Sequence, residues 1–167
     1  LQDKGIDARW IAADASQPGD IARVVAETME RMGRIDILVN NAGVLGPRKP
    51  LAEVSLADWE EAVRVNITGT FLVTRKVLRA AMLPQKSAVI LNISSGLGKR
   101  GRALWAPYAV SKFAIEAMTQ VLAEEVAPHG IRVNAVNPGA TRTRMRAEAY
   151  PEEDPRTLKT PEDIASA

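Results

Sequence analysis

The sequence predicts an α/β fold built on a doubly wound parallel sheet, of which this chain carries a part. Three observations predict it. Short apolar runs of strand length alternate with longer segments of helical period, the pattern that demands parallel pairing. Each short run ends in polar residues or glycine: Asp14, Asn40-Asn41-Ala42-Gly43, Ser94-Ser95 and Asn137-Pro138-Gly139. Open sheets of this kind bind ligands beyond the carboxyl ends of their strands, so four such ends point to one site rather than to four unrelated turns.

The elements follow in order. Residues 8–13 (ARWIAA) read as a first buried strand ending at Asp14. Residues 18–32 are helical, with Ile21, Val24, Val25 and Thr28 recurring on one face, and Gly33 stops them. Residues 35–39 form a short apolar strand that runs into the Asn40–Gly43 turn. Ser55 to Asp58 resembles a capping box and opens a long helix to about Met82. Residues 88–93 and 131–136 are the next strands, separated by a helix over 107–127 that Pro128-His129-Gly130 ends. The stretch 142–159 is polar, contains Pro151 and Pro155, and reads as a loop or short helices. Thr160-Pro161-Glu162-Asp163 is a helix start, with a capping threonine, a proline in the first turn and acidic residues beside it.

Composition bounds the function. With 46% hydrophobic and 25% charged residues, 167 residues support one ordinary globular core and a single domain over 1–167. The net charge of +2 is too small to argue for nucleic acid. The absence of cysteine removes disulfides, thiolate catalysis and zinc–sulfur sites, and fits a reducing cytoplasm. With a single histidine, no metal site is expected. His129 lies at a helix stop and no G-x-S-x-G occurs, which disfavours a serine hydrolase. No apolar run is long enough to span a bilayer. Leu1 at the start, and a last helix only one turn long, make both ends look cut.

Tyr108-Ala109-Val110-Ser111-Lys112 carries the chemistry. With Pro107 starting the helix, the phenol and the ammonium four residues on share one face. A tyrosine with an ordinary pKa near 10 is a poor base at neutral pH. A nearby lysine and the positive helix end both favour the phenolate, as a tyrosine acid–base catalyst requires. The pair alone is a weak signal, since most such pairs are a packed tyrosine beside a surface lysine. Ser95 ends a strand shortly before it and could polarise a carbonyl; Ser94 could equally be that hydroxyl, or the cap. Asn66 interrupts an apolar helix, and a structural amide bonded across the core is its default role.

In order and spacing, Asn40-Asn41-Ala42-Gly43, Asn66, Ser95, Tyr108-x-x-x-Lys112 and Asn137-Pro138-Gly139 resemble the short-chain dehydrogenase/reductase family. The resemblance spans nearly the whole chain and implies a Rossmann-like fold, family strands 3 to 6 being present, with NAD or NADP as cofactor and a small carbonyl or alcohol substrate. It implies that Tyr108 exchanges a proton with the substrate oxygen. Lys112 would tune Tyr108 and bond the nicotinamide ribose, Ser95 would hold the substrate oxygen, and Asn66 would support a water-linked proton relay. Asp14 would contact the adenine with Ala15 beside it, and Asn41, Ala42 and Gly43 would line the cofactor near its adenosine ribose. Pro138, Gly139, Thr141 and Thr143 would border the nicotinamide. A homodimer or homotetramer would form through the helices at 56–82 and 107–127, whose apolar residues lie on more than one face; burial within a larger domain would explain those faces equally.

The family's glycine-rich turn follows its first strand, and no such segment is found here; Gly96-Leu97-Gly98-Lys99 follows a later one. In the implied strand order, residues 8–13 would lie about 14 Å from the next strand present, at ~4.8 Å per strand. The expectation is that such a chain does not by itself fold into an active enzyme; a truncated, catalytically silent binding protein is the alternative. Two basic clusters, Lys99-Arg100-Arg102 and Arg142-Arg144-Arg146, could face an anionic substrate or a cofactor phosphate, with solvated surface as the default. Trp105 and the loop after Arg142 are candidates for the substrate pocket.

Overall fold

A computed structural model describes residues 5–166. The expectations that rest on Leu1 and on the final residue lie outside them. Three parallel strands, β1 (Ile37–Asn40), β2 (Ala88–Ile93) and β3 (Ile131–Val136), form one sheet in the order β1-β2-β3. Successive strands are joined through helices, as parallel pairing requires. α1 (Pro18–Met32) precedes β1. Between β1 and β2 lies one helical run made of α2 (Leu56–Ala62), α3 (Thr70–Val77) and α4 (Leu83–Gln85), with π-helical turns at Val63–Gly69 and Leu78–Met82 between them. α5 (Ala106–Val126) leads to β3, and two short helices follow, α6 (Arg144–Ala149) and α7 (Pro161–Ala165).

Strand alternation decides what the sheet buries. Ala88, Ile90, Ile131 and Val133 point to one face, where they pack with Ile21 and Val25 of α1, Val77, Leu78 and Met82 of the long helical run, and Val126 of α5. Ile37, Val39 and Val136 are on average about half exposed on the other face. Asn92 occupies a buried position in β2, fully partnered: it accepts from Asn40 Nδ2 at 2.8 Å and donates to Thr119 Oγ1 at 2.8 Å. Asn40 also donates to Thr74 Oγ1 at 2.9 Å. A run of amides and hydroxyls thus ties β1 and β2 to α3 and α5, at the low cost that fully satisfied buried polar groups carry.

Several sequence expectations change. Residues 8–13 form no strand; Trp10 is 86% exposed. A strand needs a ladder partner for its backbone, and none of the described residues supplies one. Asn40 closes β1 in register with Asn92 instead of opening a turn. The long helix continues past Met82 to Gln85, ending at Lys86 in left-handed conformation (φ 55°). At Ser55 the hydroxyl accepts the Asp58 N–H as a cap should, and it also donates to the Asp58 carboxylate. The full reciprocal box is present at Thr160 and Asp163, at the start of α7.

Gly130 is fixed by two independent constraints. Its φ of 68° is left-handed, and a Cβ there would meet the Lys86 carbonyl oxygen at 2.6 Å. That approach locks the end of the long helix against the entry to β3. Gly130→Ala is expected to lower unfolding free energy by roughly 1–3 kcal/mol, read by urea denaturation.

Candidate active site

The carboxyl ends of β1, β2 and β3 open onto a crevice of about 700 Å³. Asn41, Ala42 and Gly43 line it from the β1 end, Ser94 to Leu97 from the β2 end, and Asn137 to Thr141 from the β3 end. Tyr108 and Lys112 enter from the first two turns of α5, and further wall comes from Trp105, Thr143, Met145, Arg146, Ala149 and Tyr150. Four separate stretches that the sequence singled out therefore meet in one place. Asp14 and Ala15 do not line it. The Asp14 carboxylate is held by Ser16 and by Arg64 at 3.3 Å, and the Ser16 hydrogen bonds keep its pKa below the ordinary value.

Strand alternation separates the two serines. Ser94 is buried and donates to Glu116 at 2.5 Å, on the helix side. Ser95 faces the crevice, caps the following 3-10 turn by accepting the Leu97 N–H at 3.2 Å, and is hydrogen-bonded to Tyr108. Gly98 makes this packing possible. A Cβ there would lie 2.8 Å from Ser94 Oγ and 2.9 Å from the Lys112 carbonyl oxygen, so the β2 end and α5 approach through a missing side chain.

Lys112 is 7% exposed, and its ammonium donates to the Ile93 carbonyl at 2.6 Å. Burial pulls its pKa from the ordinary 10.5 to about 8. The ammonium lies 5.5 Å from the centroid of the Tyr108 ring. The spacing argument expects Lys112 to draw the Tyr108 pKa down; in the structure the balance runs the other way. Burial of the phenol raises its pKa, and the Ser95 hydrogen bond offsets that only in part.

Asn66 sits inside the first π-helical turn and is 1% exposed. Its carboxamide accepts from Val44 N at 2.8 Å, donates to Val44 O at 2.9 Å and donates to Ser111 Oγ at 2.9 Å. These are the bonds of a structural amide. Asn92 and Ser111 were not singled out from the sequence. The available signal for Asn92 was one amide at an inward position of an apolar strand; Ser111, inside the Tyr–Lys spacing, gave none. Thr143 lines the crevice while also capping α6, accepting the Arg146 N–H at 3.1 Å.

A parallel sheet flanked by helices, with a polar crevice at the strand ends, defines a Rossmann-like α/β protein. A family model described as short chain dehydrogenase matches residues 1–154, and the chain belongs to that family. It is 46% identical over 131 residues to the uncharacterized oxidoreductase YciK of Escherichia coli K12, an alignment covering 78% of this chain and 51% of that protein. A short chain dehydrogenase from Salmonella enterica serovar Typhi superimposes with a TM-score of 0.91 at 38% identity, covering 99% of this chain and 68% of that one. A short chain dehydrogenase from Escherichia coli CFT073, complexed with NADPH, gives a TM-score of 0.91 at 38% identity, covering 99% and 69%. The chain spans about half the length of the first curated relatives it matches.

The lowered Lys112 pKa fixes a pH dependence. Below about pH 8 the lysine is charged in both the folded and unfolded chain, and the cost of burying that charge is fully present. Between about 8 and 10.5 the unfolded chain binds the extra proton, so this group makes stability rise with pH. Denaturant titrations across that window are expected to show the parent gaining roughly 1–3 kcal/mol relative to Lys112→Met.

Proposed function

We propose that this protein is an NAD(P)-dependent oxidoreductase that interconverts a small carbonyl compound and its alcohol, with Tyr108 as the acid–base residue. The observation that carries the reading is the convergence of Ser95, Tyr108 and Lys112 on one crevice at the strand ends. The NADPH of the Escherichia coli CFT073 neighbour supports a nicotinamide cofactor, either NAD or NADP.

The residues present fit such a group. An ammonium has three N–H donors, and Lys112 spends one on Ile93, leaving donors for ribose hydroxyls. Asn41, Ala42, Gly43, Pro138, Gly139, Thr141 and Thr143 would hold the cofactor along the same crevice, and Asp14 with Ala15 would serve its adenine end. When bound, the reduced cofactor supplies the hydride that reaches the carbonyl carbon. Ser95 orients the carbonyl oxygen, and the Tyr108 hydroxyl delivers the proton that oxygen takes up. A phenol whose pKa burial raises is held protonated, ready for reduction, and the charged Lys112 beside it stabilises the phenolate left behind. Asn66 acts through position, holding the β1-end turn against α5. The outer apolar residues Phe71, Phe113 and Val121 serve as subunit contacts in this reading.

In the complete enzyme, Tyr108→Phe is expected to cut turnover by roughly a thousandfold while leaving NADPH binding nearly unchanged, and Ser95→Ala to cut turnover by about a hundredfold. Absorbance at the nicotinamide band measures the first, and cofactor fluorescence the second. Full activity in Tyr108→Phe would sink the assignment.

A further inference from the structure

The two basic clusters of the sequence meet in the structure, and they meet on a tyrosine. Tyr150 lines the crevice just after α6. The Arg146 guanidinium lies 3.8 Å from its ring centroid, and the Arg48 guanidinium 5.3 Å. Arg102 donates to its hydroxyl at 3.2 Å. Arg146 is neutralised by Glu153 through two bonds of 2.6 Å. Arg48 is held differently. Its guanidinium lies 4.6 Å over the Trp105 ring and donates to the Ala149 carbonyl, so its partners are two rings and a backbone oxygen rather than a carboxylate.

These contacts join two walls of the crevice. Trp105 is 4% exposed and Ala149 3%, and with Ala109 they form a small apolar cluster separate from the main core. Leu104, immediately before Trp105, adopts a left-handed φ of 72°, a strained conformation that a tightly held neighbour must sustain. The Trp105 and Tyr150 rings stand 5.6 Å apart, tilted by 33°. Among the described contacts, α6 is tied down on this side by the cluster and by Arg48, and beyond Gly139 by the bridge between Thr141 and Lys159.

We propose that Arg48 is a positioning residue that latches α6 and Tyr150 onto Trp105, fixing the outer wall of the crevice and thereby the size of carbonyl substrate it admits. The side chain suits the task. A guanidinium is planar and weakly hydrated, so it stacks on rings while still donating in its own plane, which an ammonium cannot reproduce. The substrate-size part rests on the oxidoreductase reading above; the latch rests on the contacts alone.

The experiment separates the two. In the holoenzyme, Trp10→Phe and Trp59→Phe leave Trp105 as the sole reporter among the three tryptophans. Arg48→Met, which keeps the apolar stem, is expected to raise acrylamide quenching of Trp105 about threefold, and Arg48→Lys is expected to restore less than half of the protection. With diacetyl as a small probe and benzil as a bulky one, Arg48→Met is expected to change KM for benzil about tenfold, with kcat and the KM for NADPH held within about twofold. If Arg48→Met does not fold, Tyr150→Ala removes the same latch from the other side and is expected to give the same rise in quenching. Trp105 as protected in these variants as in the parent overturns the latch. A kcat that falls only with the folded fraction while the KM for benzil stays fixed overturns the size-setting role. Absence of turnover with both probes in the complete parent enzyme counts against the oxidoreductase reading and leaves the quenching result to decide the latch.

Discussion

The carboxamide of Asn66 takes both backbone groups of Val44 with one hand and the Ser111 hydroxyl with the other. Ser111 in turn donates to the Tyr108 carbonyl at 2.7 Å. The turn at the β1 end, the middle of the long helix and the first turn of α5 are therefore held by one buried side chain. Gly43 belongs to the same arrangement, because a Cβ there would come within 3.2 Å of the Asn66 oxygen. Losing the amide would leave both backbone groups of Val44 and the Ser111 hydroxyl without this partner, on two elements at once, a cost above that of a single hydrogen bond. The crevice has its shape because this junction closes.

Much of this was legible beforehand, and the reasons differ by residue. The α1 stripe and the α5 start could be read because local period and a proline in the first turn act within one segment. The Tyr108–Lys112 pair could be placed on one helix face for the same reason. Residues 8–13 misled because their composition suits a strand while none of the described residues supplies a ladder partner; strand identity is a property of a pair. Asn40 misled because an Asn-Asn-Ala-Gly run has turn composition, whereas its first amide finds Asn92 on β2 and Thr74 on α3. Ser94 and Ser95 were indistinguishable until the alternation of β2 assigned one to each face.

Electrostatics was the least legible layer. The presence of a lysine near a tyrosine sets the sign of one contribution and says nothing of burial. The fold buries both groups, which raises the phenol and lowers the ammonium, bringing together two proton-holding groups whose charged forms are each disfavoured. In such a site the neutral phenol is the resting form, and the anion arises only when a proton has somewhere to go.

The π-helical turn around Asn66 has an angular consequence. Each α-helical residue advances by about 100°, and a π segment slips that phase so that residues on its two sides no longer follow one stripe. Val77 and Leu78 face the core, while Asn66 reaches toward Val44 and Ser111. Deleting one residue from Val63–Gly69 would join α2 to α3 as continuous α-helix and turn one against the other by roughly 100°. Either the amide or the apolar stripe would keep its heading, never both. The length of this helix is thus set by rotation, and a gap placed here in an alignment would mark a change of site geometry, whatever it did to helix content.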